Sequence, residues 1–348
     1  MGIKIIWSAI LTLLFFCTAD LRASEIREKA YIEDQAFKSL EREIQGAAHL
    51  AGGIVGVYAL HLETGRKISF HAQERFPMAS VYKIPIAVQL LHRLDQGELS
   101  LDKMITIQAQ DLRPGSSLIS SYLFSPGVML SVRNLLELML VVSDNTATDI
   151  LLRLAGGPKA VTARLRDMGI WDIDVSRPTI NLIADATGFI LPPEKEWNLD
   201  LFKKLHDQVP SENQKAAAAR FVNDLRDTST PEAMVKLLKC IYQGEFLKEE
   251  TKNLLLDIMA RCQTGRSRIK GFLLPETVVA HKTGTIAGIT NDAGYIKLPN
   301  NDGTIALAIF IKLSDKDISD RERAIAHMSR TIYDYFLFHR YRPANFEK

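Results

Sequence analysis

The 348-residue sequence is poor in several features that would restrict its fold or its partners. Three cysteines are too few for a small disulfide-stapled scaffold. The net charge of +2, without a lysine- or arginine-rich block, argues against a nucleic-acid partner. The eight histidines show no ligand spacing of the usual zinc-binding kind. The sequence therefore predicts no nucleic acid, no metal and no cofactor.

Long hydrophobic runs are also scarce, and the longest lies near the N-terminus. Lys4 precedes an apolar run from Ile5 to Cys17, and the small residue Ala23 follows it. The run is too short to span a bilayer, but a positive start, an apolar stretch and a small residue are typical of a secretory signal. We expect a signal peptide at 1–23 and a periplasmic or secreted mature chain, 24–348, with no stable membrane span.

The remaining composition is that of an ordinary globular protein. Hydrophobic residues make up 47% and charged residues 24%, so the chain can bury a sizeable core and form one large domain. Cys17 would leave with the signal. Cys240 and Cys262 lie in apolar helical patterns, which favours two buried thiols over a disulfide. We expect a monomer.

Hydrophobic periodicity places strands at both ends of the chain and helices in the middle. Strands are predicted at 54–60, 67–71, 278–282, 293–298 and 304–312. Helices are predicted at 25–50, from 80 to the glycine at 97, and at 130–142, 146–154, 159–168, 231–242, 247–261 and 321–338. This pattern predicts an α+β fold with an antiparallel sheet built from both ends and flanked by helices. The α/β lobe takes 24–79 and 271–348, and an all-α lobe takes 80–270.

The first chemical motif, Ser80-Val81-Tyr82-Lys83, is predicted to open a helix. Residues three apart share one helix face, so Lys83 can take the proton of Ser80 if burial keeps the amine neutral. The positive end of the helix favours negative charge developing on Ser80. This pattern predicts Ser80 as nucleophile and Lys83 as base.

A second motif, Ser143-Asp144-Asn145, lies between two predicted helices. Ser143 can pass a proton to a leaving nitrogen, which makes it the third predicted catalytic residue. Asn145 carries both a donor and an acceptor, so it can contact a lysine and a substrate amide together. Asp144 is expected to brace the turn through backbone hydrogen bonds.

The third motif, Lys282-Thr283-Gly284, is predicted to end an apolar strand. The ammonium of Lys282 and the hydroxyl of Thr283 can bind a substrate carboxylate. Gly284 leaves room for a substrate beside the strand. The backbone N–H groups of Thr285 and Ser80 are predicted to form an oxyanion hole. The neighbouring His281 is interpreted as a packing residue.

The three motifs in this order resemble the signature of the class A β-lactamase family, within the penicillin-recognising serine enzymes. Shorter matches support the resemblance over about residues 40–345: they begin at Phe76, Asp227, Thr264 and Thr290. The resemblance implies an α/β sandwich lobe with an all-α lobe. It also implies an acyl-enzyme at Ser80 and a β-lactam or peptidoglycan-like peptide as substrate.

The chain departs from the family pattern in the loop between the second and third motifs. The family carries there a Glu, four residues before an Asn, that activates the water releasing the acyl group. Depending on the alignment, that position is Arg177 or Thr179, and neither is a general base. We expect Arg177 to brace the loop against Asp227. A long insert, about 182–226, follows and is predicted to be a solvated surface helix after a proline-rich lead.

Two carboxylates near the insert are substitute bases by sequence alone. Glu194 precedes Asn198 at the same four-residue offset, and Asp185 is the other. Three functions therefore stay open at this point. The first is hydrolysis of the β-lactam amide. The others are a D-alanyl-D-alanine carboxypeptidase or transpeptidase, and a penicillin-binding sensor that deacylates slowly.

Overall fold

The computed structural model of the protein describes residues 35–339. The predicted signal peptide lies outside these residues. Within them, no helix is long and apolar enough to cross a bilayer. The antiparallel sheet with helices on its faces confirms the predicted α+β fold class.

The described residues form nine strands and eleven α-helices. The strands are β1 (Ile54–His61), β2 (Lys67–Phe70), β3 (Phe76–Pro77), β4 (Met104–Thr106), β5 (Met129–Ser131), β6 (Thr228–Ser229), β7 (Val279–Ile286), β8 (Ile289–Lys297) and β9 (Thr304–Lys312). The helices are α1 (35–51), α2 (Lys83–Asp95), α3 (Val132–Val141), α4 (Asn145–Leu154), α5 (Gly157–Asp167), α6 (Thr179–Thr187), α7 (Leu199–Asp207), α8 (Ser211–Val222), α9 (Pro231–Gln243), α10 (Glu249–Ala260) and α11 (Ile318–Phe338).

One five-stranded sheet, in the order β2-β1-β9-β8-β7, joins the two ends of the chain. Every neighbouring pair is antiparallel, and β1 pairs with β9 from Ile54 opposite Lys312 to His61 opposite Ile305. β7 is therefore an edge strand. Its open side packs against a short 3₁₀ turn, Ala79–Tyr82, which holds the predicted nucleophile.

Alternating side chains of the sheet build two hydrophobic cores. Val57 of β1 and Ile309 of β9 face one side, where they pack with α1 and α11. Tyr58 and Phe310 face the other side and join a core that includes α2, α9 and α10. This two-residue alternation is the ordinary consequence of strand geometry. The second core positions the site, because its central helix α2 is almost entirely buried and begins at Lys83.

The structure corrects the prediction for residues 80–270, which are not entirely helical. β4 pairs with β5, and β6 pairs with β3 beside the nucleophile turn. Such two- and three-residue ladders are too short to leave a periodic pattern in the sequence.

The insert also differs from the single solvated helix expected. It contains the end of α6 and all of α7 and α8, and a small core joins α6 to α7. That core consists of Ile180, Ala184, Phe189 and Phe202. Other apolar side chains of the insert, such as Leu182 and Phe221, join the main core, so the segment packs onto the helical region.

Candidate active site

The predicted nucleophile lies in a strained turn and not in the helix itself. Ser80 occupies the 3₁₀ turn, and the α-helix starts only at Lys83. Ala79 adopts a left-handed conformation (φ 47°), which a residue with a Cβ holds only when its surroundings enforce it. Asn291 of β8 supplies part of that enforcement, since its Nδ2 donates to Pro77 O (2.8 Å) and Met78 O (3.1 Å).

Gly284 lets this turn approach the edge strand. A Cβ at Gly284 would lie 2.5 Å from Met78 O and 3.0 Å from Ser80 N, so a side chain there would push the nucleophile turn away. The prediction that the third motif ends a strand was wrong. Lys282, Thr283 and Gly284 lie inside β7, which continues to Ile286 and hairpins into β8. The polar residues mask the strand pattern because this edge faces the site.

Lys83 is fully buried beside the second motif. Its Nζ donates to Ser143 O (2.7 Å), Ser143 Oγ (3.1 Å) and Asn145 Oδ1 (3.0 Å). Burial, and then the positive charge of Lys282, hold the pKa of Lys83 well below that of an ordinary lysine. A neutral amine at this position can accept a proton.

Ser143 connects the two lysines of the site. Its Oγ also accepts a hydrogen bond from Lys282 Nζ (3.0 Å), whose other acceptor is Thr283 O (2.8 Å). Ser143 has a left-handed backbone (φ 63°), and Asp144 caps α4 by accepting from Ala147 N (2.8 Å). The turn thus places one hydroxyl between the amino groups of two lysines. Burial lowers the pKa of Lys282 to about 8.

The sequence analysis missed a buried arginine beside the third motif. Arg268 Nη2 donates to Thr285 Oγ1 (2.6 Å), and Nη1 donates to Gly284 O (3.2 Å) and Asn291 O (2.9 Å). Thr264 also contributes, since its hydroxyl lies 2.6 Å from Thr283 Oγ1. Arg268 was not anticipated because it follows Thr264 in an irregular loop, where no periodicity marks it.

Arg177 braces the loop as expected. Its Nε donates to Asp227 Oδ2 (2.7 Å), and Nη1 donates to Asp224 Oδ2 (2.9 Å) and to Asp185. Arg177 and Asp227 are both buried. The guanidinium of Arg177 therefore serves to hold the loop in place. Asp185, the second candidate base, is likewise an ion-pair partner in this network.

Thr179 closes the other side of the loop, against the turn that holds Ser80. Its hydroxyl lies 2.5 Å from Tyr82 OH, and its N–H donates to Asp149 Oδ1 (2.6 Å). Asp149 is in turn paired with buried Arg113 (2.6 Å). Burial, and then the charge of Asp149, raise the pKa of Tyr82 well above its usual value. Thr179 is not a base, and the carboxylate of Asp149 already accepts hydrogen bonds from Arg113 and Thr179.

Glu194 lies on an exposed 3₁₀ turn, Glu194–Glu196, which packs near Ala109–Asp111. Across residues 35–339, no Asp or Glu carboxylate hydrogen-bonds to Lys83, Ser143 or Lys282. The site as described therefore combines the predicted nucleophile with two lysines to which no carboxylate is hydrogen-bonded. It can support attack on a carbonyl and proton transfer to a leaving group.

The structure also shows the surroundings of the two cysteines and of His281. Cys240 and Cys262 are free, buried thiols, as predicted. His281 is fully buried, but its Nδ1 is paired with Asp292 Oδ1 (2.8 Å), so the interpretation as packing alone was incomplete. The antiparallel register sets Thr283 opposite Asp292, which brings that carboxylate beside β7.

Comparison of the chain with known proteins finds beta-lactamases by family model, by sequence and by structure. The model of the beta-lactamase enzyme family matches residues 39–336. The extended-spectrum beta-lactamase PER-1 of Pseudomonas aeruginosa is 32% identical over 273 residues, covering 76% of each chain. Beta-lactamase VEB-1 of the same organism is 28% identical and covers 86% of this chain and 91% of its own. A beta-lactamase structure from Chitinophaga pinensis has a TM-score of 0.69 at 29% identity, covering 85% of this chain and 98% of that one.

Proposed function

The chain belongs to the beta-lactamase enzyme family, and on that premise we propose that Ser80 is the nucleophile of its β-lactam hydrolysis. The protein is a serine hydrolase of the β-lactamase type that acts on a small-molecule β-lactam. The observation that carries the assignment of residues is the hydroxyl of Ser143 held between Lys83 and Lys282.

In the proposed acylation, Lys83 accepts the proton of Ser80 while Ser80 Oγ attacks the β-lactam carbonyl. The low pKa of Lys83 supports this role, because a neutral amine is the form that accepts a proton. Ser143 passes its hydroxyl proton to the nitrogen released when the ring opens, and Lys83, whose Nζ donates to Ser143 Oγ, gives Ser143 the proton that it took from Ser80.

Substrate binding is assigned to the residues around β7. Lys282 attracts the substrate carboxylate, and the hydroxyl of Thr283 donates to it. Asn145 contacts the substrate amide, and the N–H groups of Ser80 and Thr285 polarise the carbonyl. Gly284 keeps the nucleophile turn close enough for these groups to converge.

Deacylation is proposed to be the slow step. Among the described residues no carboxylate hydrogen-bonds to either lysine, and the loop positions Arg177 and Thr179 are engaged with Asp227 and Tyr82. This observation also favours the second candidate, a penicillin-binding peptidase or sensor in which the acyl group persists. The two candidates share acylation and differ in the lifetime of the adduct.

The test follows turnover of a chromogenic cephalosporin and labelling by a fluorescent penicillin, with intact mass spectrometry for the adduct. Turnover with little adduct supports the hydrolase, and a long-lived adduct supports the second candidate.

Ser80→Ala should abolish labelling, whereas the control Ser39→Ala, which changes an exposed serine of α1, should not. Labelling that survives Ser80→Ala would remove Ser80 as the nucleophile. Glu194→Gln should leave turnover unchanged, and slower release in it would restore Glu194 as a base.

The proposal extends to the location of the enzyme. Removal of residues 1–23 would deliver a monomeric mature chain to the periplasm or the medium. The mass of the N-terminal peptide in the exported protein measures this cleavage directly.

A further inference from the structure

A thiol, an imidazole and a carboxylate form a buried cluster behind the third motif. His281 Nδ1 donates to Asp292, whose Oδ2 also accepts from Ile269 N (3.2 Å). The other ring nitrogen of His281, Nε2, is buried without a hydrogen-bond partner within residues 35–339, and the charges of His281 and Cys262 influence each other's pKa. The proposed chemistry at Ser80 uses none of the three side chains of this cluster.

The charges around Cys262 favour its reactive form. Burial raises the pKa of this thiol, but the contact with His281, aided by Lys282, brings it to about 7. Burial opposes protonation of His281, yet Asp292 raises its pKa to about 9. The nearby Lys270 ammonium donates to Cys262 O (3.4 Å). Between pH 7 and 9 a thiolate therefore faces an imidazolium.

Cys262 is connected to the substrate-binding strand by a short chain of contacts. Its Sγ lies 3.3 Å from Thr264 Oγ1, and that hydroxyl lies 2.6 Å from Thr283 Oγ1. The segment around Thr264 packs tightly against β7, because a Cβ added at Gly265 would lie 2.4 Å from Thr283 Cγ2. A group added to the sulfur must therefore displace Thr264, and Thr283 with it.

We infer that Cys262 is a modification site at which small electrophiles or peroxides reduce substrate binding by β7. The residue retains 6% of its surface, which restricts the reagent to a small one. A methanethiosulfonate supplies the simplest case: the thiolate sulfur attacks the sulfenyl sulfur, a disulfide bond forms and methanesulfinate leaves. With hydrogen peroxide the thiolate takes one oxygen, the O–O bond breaks and hydroxide leaves.

Modification acts on the site in two ways. It displaces Thr264 and Thr283, and it removes the thiolate charge that helps to keep Lys282 protonated. Asp292 supports the same protonation and Arg268 opposes it, so the thiolate is one of few negative charges acting on Lys282. Since misplacement of a binding group by about 1 Å can cost roughly 100-fold, we expect kcat/KM to fall at least about tenfold.

The experiment treats the full chain with methyl methanethiosulfonate and follows both peptide masses and cephalosporin hydrolysis. It rests on the proposed function only for the second readout. We expect label on Cys262 at a rate that rises with pH through about 7, and recovery of activity with dithiothreitol. Cys240 is the matched control, because burial raises its pKa to about 11.

The variants Cys262→Ser and Cys240→Ser complete the design, each compared with its own untreated rate. The first should resist inactivation and the second should not. Absence of label on Cys262, or label without loss of hydrolysis, would overturn the inference. An untreated chain that fails to acylate would instead refute the proposed function, while the peptide masses still test the thiol.

Discussion

Ser143 is the residue on which the two halves of the site depend. It receives hydrogen bonds from Lys83 at the start of α2 and from Lys282 inside β7. One hydroxyl therefore adjoins the proposed proton acceptor and the proposed carboxylate anchor. Burial and then the charge of Lys282 lower the pKa of Lys83, while Lys282, with a pKa of about 8, remains largely charged at neutral pH.

The binding role of Lys282 predicts a specific pH dependence. A lysine is charged below its pKa, so attraction of a substrate carboxylate should be present at pH 7 and lost as the pH rises through about 8. We expect KM to rise above pH 8 while kcat changes less. Lys282→Arg stays charged over this range, and its KM should be flat from about pH 7 to 9.5. A wild-type KM that is independent of pH would contradict the assignment.

At the scale of elements, the loop after α5 is held by ion pairs in addition to the apolar side chains, such as Ile173 and Val175, that it buries in the main core. Arg177 joins Asp227, which precedes β6, to Asp185 in α6 and to Asp224 after α8. Two segments, α6 and the connection between α8 and β6, thus share one guanidinium. Since β6 pairs with β3 immediately before the nucleophile turn, this network also supports Ser80 at a distance.

Arg177→Ala should destabilise the protein strongly. It leaves Asp227, which is 2% exposed, without its buried partner, at a cost of about 3–5 kcal/mol. Arg226→Ala is the control: the Arg226 side chain is 56% exposed and pairs with Asp224 and Asp185, so its loss should cost about 0–1 kcal/mol. Urea unfolding of both variants measures the difference. Equal losses would show that the buried pair is not the source of the stability.

The order of these elements was predictable from sequence, while their boundaries near the site were not. The α2 helix and β9 carry clear periodic patterns, and Arg177 with Asp227 follows from the motif that begins at Asp227. β7 extends four residues past the predicted end at Lys282, because threonine and glycine interrupt its apolar pattern. Arg268 was missed for a different reason, since its role depends on contacts that bring distant segments together.

At the scale of the whole molecule, burial of two extensive cores replaces covalent cross-links. One core lies between the sheet and α1 with α11, and the other lies between the sheet and the helical region. Cys240 belongs to the second core as a free thiol. A chain of this size buries enough surface to fold without a disulfide.

The melting temperature should therefore be the same with and without a reductant. Loss of a native disulfide typically costs about 2–5 kcal/mol, which would lower the melting temperature by several degrees. Differential scanning calorimetry with and without dithiothreitol makes the comparison. A clear fall in the reduced sample would contradict the two free thiols.

The pairing of β1 with β9 also sets an order of events during synthesis. Ser80 emerges from the ribosome early, whereas β7, which contains Lys282, and β9 emerge much later. Until β9 has emerged, β1 lacks its central partner and β7 has no sheet to join. The growing polypeptide thus carries the proposed nucleophile in an inert form, and we expect reactivity only when translation has delivered nearly the whole chain.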